Sequence, residues 1–450
     1  MWRQDDPTSL SVPDDHRRID APGFWRLIPA ALVAALLVLT GCGRDRDTAA
    51  PAATTPDVVA QEVAAAGDLA EDAPPLVVRP LVVWVPEFMT TDGDTAAAEV
   101  LATALQQFEQ LYPESEVEFV VKQEDGVNGV LNYLRSAQRV APAILPDLVV
   151  LNSQDLWRAV DLGLVQPLDA ANLPVAQPIY PVALAAARYQ ETLYGLPYAL
   201  NPLHVVGGAE QTLPVTWDDV LAGGVPYIFA GDVGDAGLNP SLLLQYVAAG
   251  GALTETTAEP DADALRALLE FYAAGRSAAI IGEETAALAD TDDVWSALDL
   301  AASPAVGLVS AHVLLRERDA LNRLAYAPLP SLDGTAQTLA PAYTFAFLTT
   351  DPERLEMGYN LLNVLFDPTV HGNWAQFAQV LPSTETALDT WGGEQPYFVF
   401  LRRLLRDDAT AIPNGRIFFE FARRLQAAQN SVIAGTMTVD EAIASIGTSP

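Results

Sequence analysis

Three short polar stretches, each directly behind an apolar run, carry the side chains of this chain best suited to holding a small molecule. Pro86–Asp94 brings Glu87, Thr90 and Thr91, Lys122–Gly126 brings Glu124, and Asn152–Asp155 reads Asn152-Ser153-Gln154-Asp155. Carboxylates, amides and hydroxyls in that mixture suit hydrogen bonding to a solute with many polar groups. Any one of them is also what a solvated loop would contain. Signs of catalysis are sparse: there is no G-x-S-x-G elbow and no H-E-x-x-H pair. The histidines His16, His204, His312 and His371 are far apart in sequence, which argues against a His-rich metal site. Asp92-Gly93-Asp94 and Asp290–Asp293 have the acidity of a calcium loop without its full pattern, so a solvated turn is the plainer reading. Paired carboxylates of the kind glycosidases use could still be present among 58 acidic residues.

The elements before these stretches predict where they meet. Leu81–Val85 (LVVWV) is a continuous apolar run, as in a strand buried on both faces. An amphipathic helix comes next, with Val100, Leu101, Ala104, Leu105, Phe108 and Leu111 on one side, capped by Asp94 or Thr95 and ended by Pro113. Val117–Val121 is a second strand, Val127–Val140 a second helix and Asp147–Leu151 a third strand, with Asp155 opening another short helix. Such β-α-β-α-β order implies a parallel sheet with right-handed crossovers. Solutes bind open parallel sheets beyond the carboxyl ends of the strands, and all three polar stretches fall on that edge.

Farther along, Gly195–Val206 (GLPYALNPLHVV) reads as an extended crossover. Thr216 and Asp219 form a capping box, and Thr438 and Glu441 form another before a final helix. Helices are expected at Leu238–Ala249, Asp261–Ala274 and Phe418–Ile433, and one opens at Asp351-Pro352. Val306–Val309 and Ala325–Ala327 are short strand-like pieces.

The amino-terminal part is of another kind. Basic Arg17, Arg18 and Arg26 precede an apolar run from Leu27 to Leu39, too short for the roughly 20 residues of a membrane span but of signal-peptide proportions. Leu39-Thr40-Gly41-Cys42 resembles a bacterial lipobox, which implies cleavage before Cys42 and acylation of that residue, the only cysteine. Residues 43–75 are rich in Ala, Pro, Thr and Asp without an aromatic, and are expected to form a disordered tether. The body beyond the tether is long enough for two lobes. A net charge of −34 argues against nucleic-acid or anionic-lipid partners, which need basic surfaces.

The body resembles the extracellular solute-binding proteins of ABC importers, in the group that includes maltose-binding protein. The residues that carry this are LVVWV, FEQLYP (Phe108–Pro113), PDLVVL with LWRAVDLGLVQPLD (Leu156–Asp169), YGLPYALN, PVTWDDVL, APLPSLDG (Ala327–Gly334) and AAQNSVIAGTMTVDEAI (Ala427–Ile443). The resemblance implies a two-lobed α/β fold, each lobe a mainly parallel sheet flanked by helices, joined by crossover strands. The expected division is a signal peptide at 1–41, a tether at 42–75, a first lobe at 76–198 and 324–372, and a second at 199–323 and 373–450.

The resemblance also implies an exported, lipid-anchored monomer without catalysis or cofactor, which passes a sugar or oligosaccharide to permease subunits. Its cleft positions fall on Glu87, Thr90, Ser153, Gln154, Asp155, Tyr198, Asn201, His204, His312 and Tyr343. Three departures touch that cleft: Val206-Gly207-Gly208 stands for Tyr-Asn-Lys, His312 for an aromatic, and Ala-Pro-Ala for the glycine pair before Tyr343. A polyamine, a polyol phosphate or a metal complex is the alternative ligand, and a secreted carbohydrate hydrolase the alternative class.

Overall fold

The first apolar run forms strand β1 (Leu81–Val85), whose Leu81, Val83 and Val85 are fully buried. A computed structural model describes residues 79–447 except 125, 127, 170–172, 174, 176, 234–236, 301, 302, 393 and 394; the leader, Cys42 and the tether lie outside the described residues. β1 pairs in parallel with β2 (Val117–Val121) and with β3 (Leu148–Asn152). Helix α1 (Ala96–Leu111) makes the first crossover; the Oγ1 of Thr95, not Asp94, caps it by accepting from the Ala98 amide. It buries Leu101, Ala104, Leu105 and Phe108, but Leu111, expected on the same stripe, is exposed in its last turn. Helix α2 (Val130–Val140) starts three residues later than expected. Helix α3 (Ser153–Asp161) is capped by Asn152, whose Oδ1 accepts from the Asp155 amide at 2.9 Å.

The later strands of the two larger sheets are β4 (Leu196–Leu200), β5 (Leu203–Gly208), β6 (Tyr227–Ile228), β7 (Val306–Ser310), β8 (Leu324–Ala327), β9 (Ala342–Phe347) and β10 (Leu381–Pro382). They complete one sheet in the order β10-β4-β9-β3-β1-β2 and build a second in the order β8-β5-β7-β6. Both sheets are mixed. In the first, β9 runs antiparallel to β3 and β4, and β10 antiparallel to β4. In the second only β6 and β7 are parallel. The expectation of mainly parallel sheets therefore holds for the β1–β3 unit alone.

The expected lobe borders shift for the same topological reason. β8 pairs with β5 and so belongs to the second sheet, whereas β10 belongs to the first. The helix Pro396–Asp407 buries Tyr397, Leu401 and Leu405 in the first core, so the chain does not settle into the second lobe at residue 373.

Each sheet has its own apolar core. The first gathers Phe108, Val149, Leu156, Tyr198, Phe345, Phe347 and Trp374, and the second Tyr227, Phe229, Leu243, Tyr272, Leu308, Phe418 and Phe421. Strand alternation decides which core a residue joins. Leu203 and Val205 enter the second core and Val206 the first. Both predicted capping boxes are formed, with Thr216 paired to Asp219 and Thr438 to Glu441. At the amino end of the first sheet, the Arg354 guanidinium pairs with Asp147, whose Oδ2 also accepts from the Val82 amide at 2.9 Å. Among the described residues no helix is long and apolar enough to cross a membrane.

Candidate functional site: the carboxyl edge of the first sheet

The carboxyl ends of β1, β2 and β3 converge as expected. Glu124, after β2, accepts a 2.7 Å hydrogen bond from the Tyr343 hydroxyl on β9. With Asn152 and Asp155 they line a narrow recess, closed on one side by Lys122, whose ammonium lies 4.7 Å from the Trp84 ring centre. Tyr343 is the outermost ring of an aromatic ladder. It meets Phe88 edge-on at 4.8 Å, Phe88 leads to Trp374 at 6.1 Å, and Trp374 to Tyr198 at 4.6 Å. Tyr343 is thus braced from behind, with its hydroxyl held at the recess.

Beyond the recess opens a cavity of ≈ 790 Å³. The first lobe contributes Glu124, Asn132, Arg135, Asn152, Asp155 and Arg158 to its wall. The second contributes Gly237 and Leu238. Two acids and two guanidiniums share the space, and Arg158 Nη1 lies 3.3 Å from Asp155 Oδ1. A second cavity of ≈ 370 Å³ shares Gly237 and Leu238 and is lined by Asn201, Asp232, Asp290, Thr291 and Ser310. Gln154 spans the lobes: its Nε2 donates to the Leu238 carbonyl and its Oε1 accepts from the Leu238 amide, both at 2.9 Å. One turn on, Trp157 and Phe419 of the second lobe lie 5.6 Å apart, and the Arg158 guanidinium sits 4.6 Å from the Phe419 ring centre.

Among the predicted positions, Gln154, Asp155 and Tyr343 lie at these openings. Asn201 lines the smaller cavity, where its Oδ1 accepts from the His312 amide at 2.9 Å. Glu87 is exposed in a single 3-10 turn, and Thr90 Oγ1 is bonded to the backbone of Asp92; neither lines the cavities. Ser153 is buried, with its hydroxyl donating to the Ala342 carbonyl and accepting from the Ala342 amide, so it fixes α3 to β9.

Two predicted residues belong to the interior. Tyr198 is fully buried, stacked 4.2 Å from His371, with its hydroxyl donating to the Leu365 carbonyl. Burial pushes its phenol far above the usual range. His204 lies on the β5 face opposite Leu203 and Val205. Its Nδ1 donates to the Val205 carbonyl, which leaves Nε2 to accept from the Tyr397 hydroxyl at 2.8 Å. The crossover pattern showed that these residues sit between lobes, but not which face of the strand each would take. His312 donates from Nδ1 to the carbonyl of Gln379 at 2.9 Å.

Asn132, Arg135 and Arg158 were not foreseen as cleft residues. Helical spacing was the available signal, since Asn132 and Arg135, like Asp155 and Arg158, are three apart on one helix face. Among the described residues no group of three His, Cys, Asp or Glu side chains is arranged to hold a metal ion, and the Asp290 carboxylate caps the Thr291–Ala297 helix.

Two mixed α/β sheets, each with its own core, joined by extended crossovers and facing each other across a polar cavity, define a two-lobed binding protein. Residues 103–395 match the bacterial extracellular solute-binding protein family, and the chain belongs to that family. Its fold is similar to that of the maltose-bound protein MalE3 of T. maritima, at 17% identity and a TM-score of 0.62 over 81% of this chain and 98% of that one. The sugar-binding protein MalE of Xanthomonas citri superimposes with a TM-score of 0.64 at 16% identity, over 82% and 95% of the two chains. The GacH receptor of Streptomyces glaucescens, solved unliganded and with acarbose, gives 0.61 at 16% identity, over 81% and 96%. No curated protein sequence matches significantly.

Proposed function

We propose that this protein captures a sugar or oligosaccharide in the cavity between α3 and the Gly237–Leu238 segment and delivers it to the permease of an ABC importer. The observation that carries the reading is the ≈ 790 Å³ cavity itself. It lies within the roughly 300–1,000 Å³ of small-molecule sites and on the edge where parallel strands present their ligands. Its balanced set of acids, guanidiniums and amides suits a neutral polyol, whose hydroxyls both donate and accept. Tyr343 lines the adjoining recess, with its hydroxyl held by Glu124. Solved relatives of the same fold that carry maltose, acarbose or mannotriose support the same ligand class.

In this reading the protein acts as a monomer without cofactor or catalysis, held at the outer face of the cytoplasmic membrane by acylated Cys42. A thermal-shift panel of mono-, di- and trisaccharides tests the ligand class: at least one sugar should raise the melting temperature and be recovered chemically intact. A panel that leaves the melting temperature unmoved while a polyamine raises it overturns the sugar reading, and turnover of the sugar overturns the receptor reading. Cys42→Ser should release the protein to the medium with its ligand affinity unchanged.

A further inference from the structure

The geometry points to Gln154 as a positioning residue that couples closure of the two lobes to the shape of the cavity, through bonds made entirely between protein atoms. Its primary amide pairs with the amide and carbonyl of a single residue, Leu238, at 2.9 Å each, as a strand residue would pair across a ladder. Both ends of this link are rigid. On one side, the Asn152 cap and the Ser153–Ala342 pair fix the first turn of α3 to the first sheet. On the other, Leu238 packs in the second core. Next to it, Asn239 exchanges bonds with Gln426: its amide donates to Gln426 Oε1 at 3.3 Å, and Gln426 Nε2 donates to its carbonyl at 2.8 Å.

Because the second contact, Trp157 and Arg158 on Phe419, lies one turn along the same helix, α3 grips the second lobe at two points. Gly237 and Leu238 wall both the ≈ 790 Å³ and the ≈ 370 Å³ cavities, so the Gln154 link also sets where one compartment ends and the other begins. A side chain whose donor and acceptor are both engaged by Leu238 has less left to offer a solute. Its role is to hold the wall that the solute meets.

This rests on the proposed solute site only for its effect on affinity; lobe closure is read without any solute. In a Cys42→Ser background, spin labels at Val140→Cys and Val215→Cys report the distance between exposed points on the two lobes, which are 84% and 58% accessible. Without added solute, the parent should show a dominant short-distance population. Gln154→Leu, which keeps the bulk and removes both bonds, should shift the closed-to-open ratio about tenfold, as two hydrogen bonds would. Gln154→Glu should act in the same direction, because a carboxylate cannot donate to the Leu238 carbonyl, and it serves if the leucine variant fails to fold. Circular dichroism confirms that each variant keeps the parent fold. Identical distance distributions in the parent and a folded variant overturn the inference, as does a parent that is open throughout. For any solute found in the thermal panel, dissociation should quicken in Gln154→Leu. If the distances shift and no solute is found, the latch stands and the solute reading falls.

Discussion

The interior of the first lobe and its cleft edge are built from the same kinds of residue and use them in opposite ways. Inside, Tyr198, His371, Trp374 and the His204–Tyr397 pair are fully or almost fully buried. Burial suppresses ionisation there, holding both imidazoles down at about 4 and the Tyr198 phenol far above its ordinary value. The His371 Nδ1 and Trp374 Nε1 atoms have no hydrogen-bond partner among the described residues. At the edge, Glu124, Asp155 and Arg158 line the cavity, bonded to one another or to Tyr343. Polar and aromatic groups thus make a scaffold where solvent is excluded and a recognition surface where it is not.

If that contrast holds, acid should attack the interior first. An unfolded histidine binds a proton below about 6.5, whereas the folded His204 and His371 do so only near 4. Between those values the unfolded chain holds more protons, so stability is full above 6.5 and falls as the pH drops toward 4, by about 3 kcal/mol for each histidine. Denaturant midpoints measured from pH 7 to 4.5 should show this loss, and His371→Gln should remove about half of it. Tyr198→Ala deletes a ring packed on Phe345, Phe366, His371 and Trp374, and should cost about 3–5 kcal/mol in chemical denaturation. If this variant weakened binding of an identified solute at temperatures where it remains folded, Tyr198 would have to be moved from scaffold to site.

Edge substitutions should divide the other way. Asp155→Ala removes a carboxylate from the cavity together with its 3.3 Å contact to Arg158, so affinity for the solute should fall roughly tenfold or more by calorimetry. Smallest is Asn152→Ala, which removes the α3 cap and should lower stability by about 1 kcal/mol. An Asp155 variant that unfolds readily but binds normally would erase the distinction between edge and interior.

The sequence made the β-α-β-α-β unit legible because each strand there is a short apolar run and each loop a cluster of polar groups. That logic singled out Gln154 and Asp155, and the family resemblance Tyr343; all three line the recess or the cavity. Tyr198 and His204 were misplaced because a crossover strand buried on both sides carries no alternation to say which residue faces the gap; all five residues of β4 are buried. Arg135 and Arg158 escaped notice because they sit on helices rather than in the loops that mark the sheet edge. Strand direction in the sheets was also hidden. β9 pairs with β3 in a register that runs from Tyr343 opposite Asn152 to Phe347 opposite Leu148, a meeting of distant parts of the chain that no local pattern encodes.

That distant pairing bears on how the protein is made. β9 occupies the middle of the first sheet, between β3 and β4, although both of those strands are synthesised long before it. Until Phe347 has left the ribosome, β3 and β4 lack the strand that joins them, and the early β1–β3 unit is a half-sheet with an open edge. Contacts of such long range form slowly. For a member of an extracellular family, that order means that the first lobe cannot close until most of the chain has been made.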